Sequence, residues 1–151
     1  MKLYLVQHGK AKTEKEDVNR PLNQEGISQT KNVAQKFIQK NYDGLDVILH
    51  SNKLRAKQTA EIIAEIIKPV NGVKEVSNLN PNDDPFIWFN KINDLIKDTM
   101  IVGHLPHLKK LCSLLVFNNP DIETIIFVNS GIVCLDKAKD RWQVIDMIFP
   151  H

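Results

Sequence analysis

A chain of 151 residues fits one domain, 1–151, and is long enough to bury a sizeable core. With 42% hydrophobic and 25% charged residues its composition is ordinary for a globular protein, and 20 basic against 18 acidic residues leave a net charge of +2, too little to argue for a nucleic-acid partner. No secretory h-region and no apolar run of about 18 residues is present, so no membrane partner is expected; Cys112 and Cys134 read as buried free thiols, and a cytoplasmic enzyme or binding domain is implied.

In chain order, residues 2–7 (Lys-Leu-Tyr-Leu-Val-Gln) read as a strand, followed by a polar Lys/Glu-rich loop over 10–21. Asn23 is the expected N-cap of a helix in which Ile27, Val33, Ala34, Phe37 and Ile38 recur at helical spacing and which Asn41-Tyr42-Asp43-Gly44 ends. Residues 46–50 form a short, continuously apolar strand of the kind buried on both faces. Ser51-Asn52 is placed to cap a helix from about Lys53 to Lys68, which Pro69 and Gly72 stop. A weak strand over Val73–Val76 leads to a turn-rich loop, where Asp84 and Pro85 resemble the N-cap and N1 of an amphipathic helix over 86–96. Residues 99–103 form a strand ending at His104, and a helix over 106–117 tolerates Pro106 in its first turn. Residues 124–128, 131–135 and 142–149 read as three further strands, the last two a hairpin around 136–140. The alternation predicts an α/β fold: three layers, α/β/α, with a mostly parallel central sheet of about six strands and an antiparallel C-terminal hairpin.

Ligands of open α/β sheets bind outside the carboxyl ends of the strands. His8 follows the first strand there, with Gly9 expected to permit a sharp turn and close approach of a ligand. His104 follows the fourth strand, Arg55 lies in the first turn of the helix after the second, and Arg20 sits in the loop after His8. Two helix N-termini, with free N–H groups and positive dipole ends, point to the same rim. Together they outline a pocket for a dianion, most plausibly a phosphoryl group. Taken singly, each residue also reads blandly: a hydrogen-bonded histidine, or a solvated arginine.

Gln7-His8-Gly9 resembles the Arg-His-Gly signature of the histidine phosphatase superfamily, the phosphoglycerate mutase-like fold. Arg20-Pro21-Leu22 resembles the segment before the first helix in short phosphohistidine phosphatases of the SixA type. Ser51 to Ala60 is similar to their Ser-x-x-x-Arg-Ala-x-Gln-Thr block, Val102 to Pro106 to their second-histidine motif, and Asn129-Ser130-Gly131 to the turn before their late strands. The resemblance implies that His8 attacks phosphorus and becomes phosphohistidine, with Arg55 and His104 completing the catalytic set. It implies further that Gln7, Gly9, Arg20 and Leu105 bind substrate, and that water then releases phosphate. The substrate would be a phosphorylated protein, with a phosphohistidine domain in view, or a small phosphorylated metabolite.

No cofactor or metal is implied, and His50, His107 and His151 show no ligand pattern with a carboxylate. Asp83 and Asp84 are the candidates for a general acid, although Asp84 reads better as a helix cap. The resemblance departs at one position, where Gln7 stands in place of arginine. A neutral amide replaces a charged bidentate fork, a change worth roughly 1.5–3 kcal/mol. Three functions follow: an active phosphatase, a weak or inactive phosphoryl-binding pseudoenzyme, or a scaffold with an empty site.

Overall fold

The computed structural model describes residues 1–42 and 44–151. Its elements are β1 (Lys2–Gln7), α1 (Gln24–Gln39), β2 (Val47–His50), α2 (Leu54–Ile67), β3 (Val73–Glu75), α3 (Pro85–Asn93), β4 (Thr99–Gly103), α4 (His107–Phe117), β5 (Ile132–Ala138) and β6 (Arg141–Ile148). All six strands join one sheet in the order β3-β2-β4-β1-β5-β6. β3, β2, β4 and β1 run parallel, while β5 is antiparallel to both β1 and β6, so the sheet is mixed and its parallel part holds the centre.

Alternate residues of the apolar strands enter opposite layers, as the two-residue period requires. Leu3 and Leu5 face α3 and α4, packing with Trp88, Ile92, Leu108 and Leu111. Tyr4 and Val6 face α1 and α2, packing with Val33, Phe37, Ala60 and Ile63. This is the three-layer α/β/α arrangement, and it explains the unbroken apolar runs of β1, β2 and β4. Each large aliphatic side chain so buried contributes about 1.5–3 kcal/mol of hydrophobic stabilisation. Cys112 and Cys134 are buried and free, and burial pushes both thiols up to about 12. Among the described residues no helix is long and apolar enough to cross a membrane.

Register sets the rim where the chemistry is expected. Gln7 pairs with Gly103 and His50 with Val102, so His8, His104 and Ser51 leave their strands at one level. The His8 amide continues the ladder to the Gly103 carbonyl at 3.0 Å.

The caps of α1 and α3 are as expected. The Asn23 side chain accepts from the Gly26 N–H, and Asp84 accepts from the Phe86 N–H with Pro85 in the first turn. Four expectations need correction. Residues 124–128 form no strand. Both edges of β1 are taken by β4 and β5, and the segment instead folds over the α4 layer, burying Phe127, with Ser113 Oγ donating to the Ile122 carbonyl. The Ser51-Asn52 cap is displaced: Lys53 is the N-cap of α2 without a side-chain bond of its own, and Ser51 Oγ, 2.6 Å from His104 Nε2, accepts only from the Lys53 N–H, at 3.4 Å. α3 ends at Asn93 rather than 96, where the Asp94 and Leu95 amides tighten onto the Lys91 and Ile92 carbonyls and leave Ile96 exposed. Pro106 precedes α4 as its N-cap instead of lying in its first turn. Of the segment expected to end α1, Asp43 lies outside the described residues.

Candidate active site

His8 leaves β1 half-buried, its Nδ1 2.7 Å from the Gly9 carbonyl. A carbonyl only accepts, so Nδ1 carries the ring proton and Nε2 keeps its lone pair. Burial lowers the His8 pKa to about 4; the Gly9 carbonyl opposes the shift, and the charges of Arg55 and Arg20 add to it. The ring is therefore neutral near pH 7 and nucleophilic at Nε2.

The His104 ring lies against it, with centroids 5.0 Å apart and planes tilted by 56°. His104 Nε2 is 2.6 Å from Ser51 Oγ, and its buried Nδ1 has no partner. Burial, then the neighbouring His8, Arg55 and Lys53, bring its pKa down to about 3. The pair is thus two neutral imidazoles, each held by a hydrogen bond to one ring nitrogen.

Arg55 stands in the first turn of α2, as expected, with its Nε buried and unpartnered. Arg20 reaches it from the loop; its Nε donates to the Lys12 carbonyl at 3.0 Å. The Arg20 backbone is left-handed, φ 49°, a conformation that costs a side-chain-bearing residue about 1–2 kcal/mol. Among the described residues neither arginine forms an ion pair with a carboxylate. With Asn19, Asn52, Lys53 and Glu14 the two arginines line a cavity of about 450 Å³. Because no side chain caps α2, its first-turn N–H groups add to this cationic recess.

A set of hydroxyls and amides unseen in the sequence holds these groups. The buried Gly9 N–H donates to Thr59 Oγ1 at 2.9 Å, and Thr59 donates in turn to the Arg55 carbonyl at 2.8 Å, tying the His8 turn to α2. Asn129 Nδ2 donates to the His8 carbonyl, and the Ser130 N–H to the Gln7 carbonyl, each at 2.9 Å. Thr59 lies one turn beyond Arg55, and that i, i+4 spacing was the available signal. Ser51 and Asn129 lay in segments already singled out, without a role.

Gly9 is constrained by packing. Its φ is not positive, and a Cβ there would lie 2.9 Å from Thr30 Oγ1 and 3.0 Å from Ser130 Oγ. Close packing against α1 and Ser130 demands glycine. Gly26 answers it across the contact, where a Cβ would meet the Lys10 carbonyl at 2.1 Å.

Gln7 and Leu105 do not join the cationic recess. They line a second groove of about 450 Å³ with Gln29, Phe127, Asn129 and Phe149. Asp83 accepts from the Asn80 amide and Asp84 caps α3, both close enough to His107 to favour its protonation against the stronger effect of burial. Among the described residues no group of three or more His, Cys, Asp or Glu side chains is arranged to hold a metal.

The model of the histidine phosphatase superfamily (branch 1) matches residues 3–80, which span β1 to β3 and include His8, Arg20 and Arg55. No curated protein sequence matches at a significant level. Among solved structures the chain is similar to the protein histidine phosphatase SixA complexed with tungstate, at 20% identity and TM-score 0.86, covering 99% of this chain and 97% of that one. It is similar also to a protein assigned as the phosphohistidine phosphatase SixA from Agrobacterium tumefaciens, at 24% identity and TM-score 0.76, with the same coverage. The alpha-ribazole phosphatase from Shigella flexneri shares 14% identity at TM-score 0.71, over 100% of this chain and 96% of that one. At these identities the likeness is one of fold, the phosphoglycerate mutase-like α/β architecture.

Proposed function

Because the chain belongs to the histidine phosphatase superfamily, we propose that it is a phosphohistidine phosphatase, hydrolysing a phosphoryl group through an intermediate on His8. Neutral His8 attacks phosphorus with Nε2, and the bond to the leaving group breaks with its electron pair on that group. Water then attacks the phosphorylated His8 and releases phosphate. Dividing one displacement into two is ordinary covalent catalysis. Arg20, Arg55 and the free amides of α2 hold the equatorial oxygens, and His104 lies beside the transferred group. Such transfer rests on positioning and on charge stabilisation, and the recess supplies both.

The observation that carries this reading is the His8 ring itself. Its proton is fixed on Nδ1 by the Gly9 carbonyl, its Nε2 is unprotonated at neutral pH, and beside it stand two arginines that form no ion pair among the described residues. The substrate is a phosphorylated protein or a small phosphorylated metabolite; likeness to the SixA protein histidine phosphatase favours the first. Buried free cysteines fit a reducing compartment and support action in the cytoplasm.

Gln7 favours a second reading, a phosphoryl-binding protein without turnover, since the family signature has arginine there. Phosphate release from a phosphohistidine protein separates the two. Loss of release in His8→Ala supports the phosphatase; equal rates in wild type and His8→Ala exclude it.

A further inference from the structure

Gln58 and Thr59 follow Arg55 on α2 by three and four positions, the spacing of helical neighbours. Arg55 enters the cationic recess, and Thr59 ties the His8 turn to the helix. Gln58 is half-buried, and its Oε1 accepts from the Leu22 N–H at 2.7 Å across 36 positions of sequence. Leu22 closes the neck of the loop that carries Arg20. It forms an antiparallel bridge with Ala11, flanked by the Asn23 N–H donating to the Lys10 carbonyl at 3.0 Å and the Lys12 N–H donating to the Pro21 carbonyl at 2.8 Å. A residue between two such bonds turns its own N–H away from the facing strand. Leu22 is 4% exposed, so that N–H needs a partner from outside the loop, and Gln58 is the partner.

We infer that Gln58 is a positioning residue for the phosphoryl site, anchoring Leu22 to α2 so that Arg20 is held at a fixed place relative to Arg55. The inference rests on the reading of these two arginines as the groups that hold the phosphoryl oxygens, and it deepens that reading. Arg20 lies two residues from Leu22, through Pro21, whose ring fixes its own φ. The Arg20 backbone is left-handed, φ 49°, with its N–H donating to the Asp17 carbonyl and its Nε to the Lys12 carbonyl, each at 3.0 Å. Such a conformation persists where its surroundings over-determine it. These bonds are internal to the loop, whereas the Gln58 bond joins the loop to the helix that carries Arg55. Burial first and the charge of Arg20 second lower the Arg55 pKa, so the two guanidinium groups are near enough to repel. The Gln58 anchor works against that repulsion and sets the pair before a dianion arrives, which lowers the cost of binding it.

The test is a double-mutant cycle on the full chain, read as kcat/KM for p-nitrophenyl phosphate. Arg20→Ala lowers kcat/KM by about 10–100-fold and Gln58→Leu by about tenfold, as loss of a charged contact and of its anchor do. The double variant falls no more than about twofold below Arg20→Ala alone, because Gln58 acts through Arg20. Gln58→Glu, which keeps an acceptor for the Leu22 N–H, stays within about threefold of wild type. Should Gln58→Leu fail to fold, Gln58→Met, which keeps the length and lacks the carbonyl, takes its place in the cycle. Losses that multiply in the double variant, wild-type kcat/KM in Gln58→Leu or in Arg20→Ala, or Gln58→Glu as impaired as Gln58→Leu overturn the assignment and leave phosphoryl transfer to His8 intact. Wild-type protein that neither releases phosphate nor carries it on His8 overturns the phosphatase reading, and this assignment with it.

Discussion

The recess between Arg20 and Arg55 and the groove beside Gln7 each measure about 450 Å³, yet their linings differ in kind. One gathers the charges of Arg20, Arg55 and Lys53 against the single acid Glu14, beside helix amides, which suits a dianion. The other sets the amides of Gln7, Gln29 and Asn129, with Lys10 and His151, among aromatic and aliphatic walls. The contrast teaches that affinity for a dianion belongs to one part of the rim, where basic side chains and helix amides coincide.

The comparison breaks most completely at the nucleophile. His8→Ala removes the intermediate for every substrate, and phosphate release falls by about three orders of magnitude or more, measured by single-turnover release. Arg55→Ala acts on the cationic side alone. It lowers kcat/KM by about 10²–10³ for esters and phosphoramidates alike, as loss of a preorganised charge-stabilising donor does. An unchanged kcat/KM in Arg55→Ala would show that the recess does not hold the phosphoryl group. Ser51→Ala frees His104 Nε2 and costs a single hydrogen bond, so kcat falls about tenfold with little change in KM.

The pH dependence sharpens the same picture. The His8 pKa is lowered to about 4 by burial, so the neutral, attacking form persists far below pH 6.5. The acid limb of kcat/KM for an ester therefore lies near pH 4, and a limb near 6.5 would show that the ring is not held as described. The same shift acts on stability with a definite sign. The unfolded chain binds protons on His8 and His104 near pH 6.5, the folded chain only near 4 and 3. Stability is full above about pH 6.5 and falls as pH drops toward 4, a slope that denaturant titration measures and that His104→Gln reduces.

The same division marks what was legible in the sequence. β1, β2 and β4 were legible because strands covered on both faces read as unbroken apolar runs, and the Asn23 and Asp84-Pro85 caps because local hydrogen bonds decide them. The cationic side was legible too, as His8, Arg20, Arg55 and His104 lie in motifs. Residues 124–128 were misread because their apolar character serves to cover α4, and whether a strand edge is free for them is a tertiary matter. Gly9 read as permitting a sharp turn and a ligand's approach; that Thr30 and Ser130 also crowd it depends on distant segments meeting. Thr59 and the groove side of the site depend on which distant segments meet, for Gln7 and Phe127 are 120 residues apart in the chain by number, about which local pattern is silent.

Trapping the phosphorylated enzyme tests the mechanism at its root. Wild-type protein mixed with excess N-phosphohistidine and quenched in alkali, where phosphohistidine survives, should carry one phosphoryl group on the His8 peptide by mass spectrometry. The same label should be absent from His8→Ala. Phosphate release without any label on His8, or a label on another residue that persists in His8→Ala, would contradict the mechanism proposed for this site.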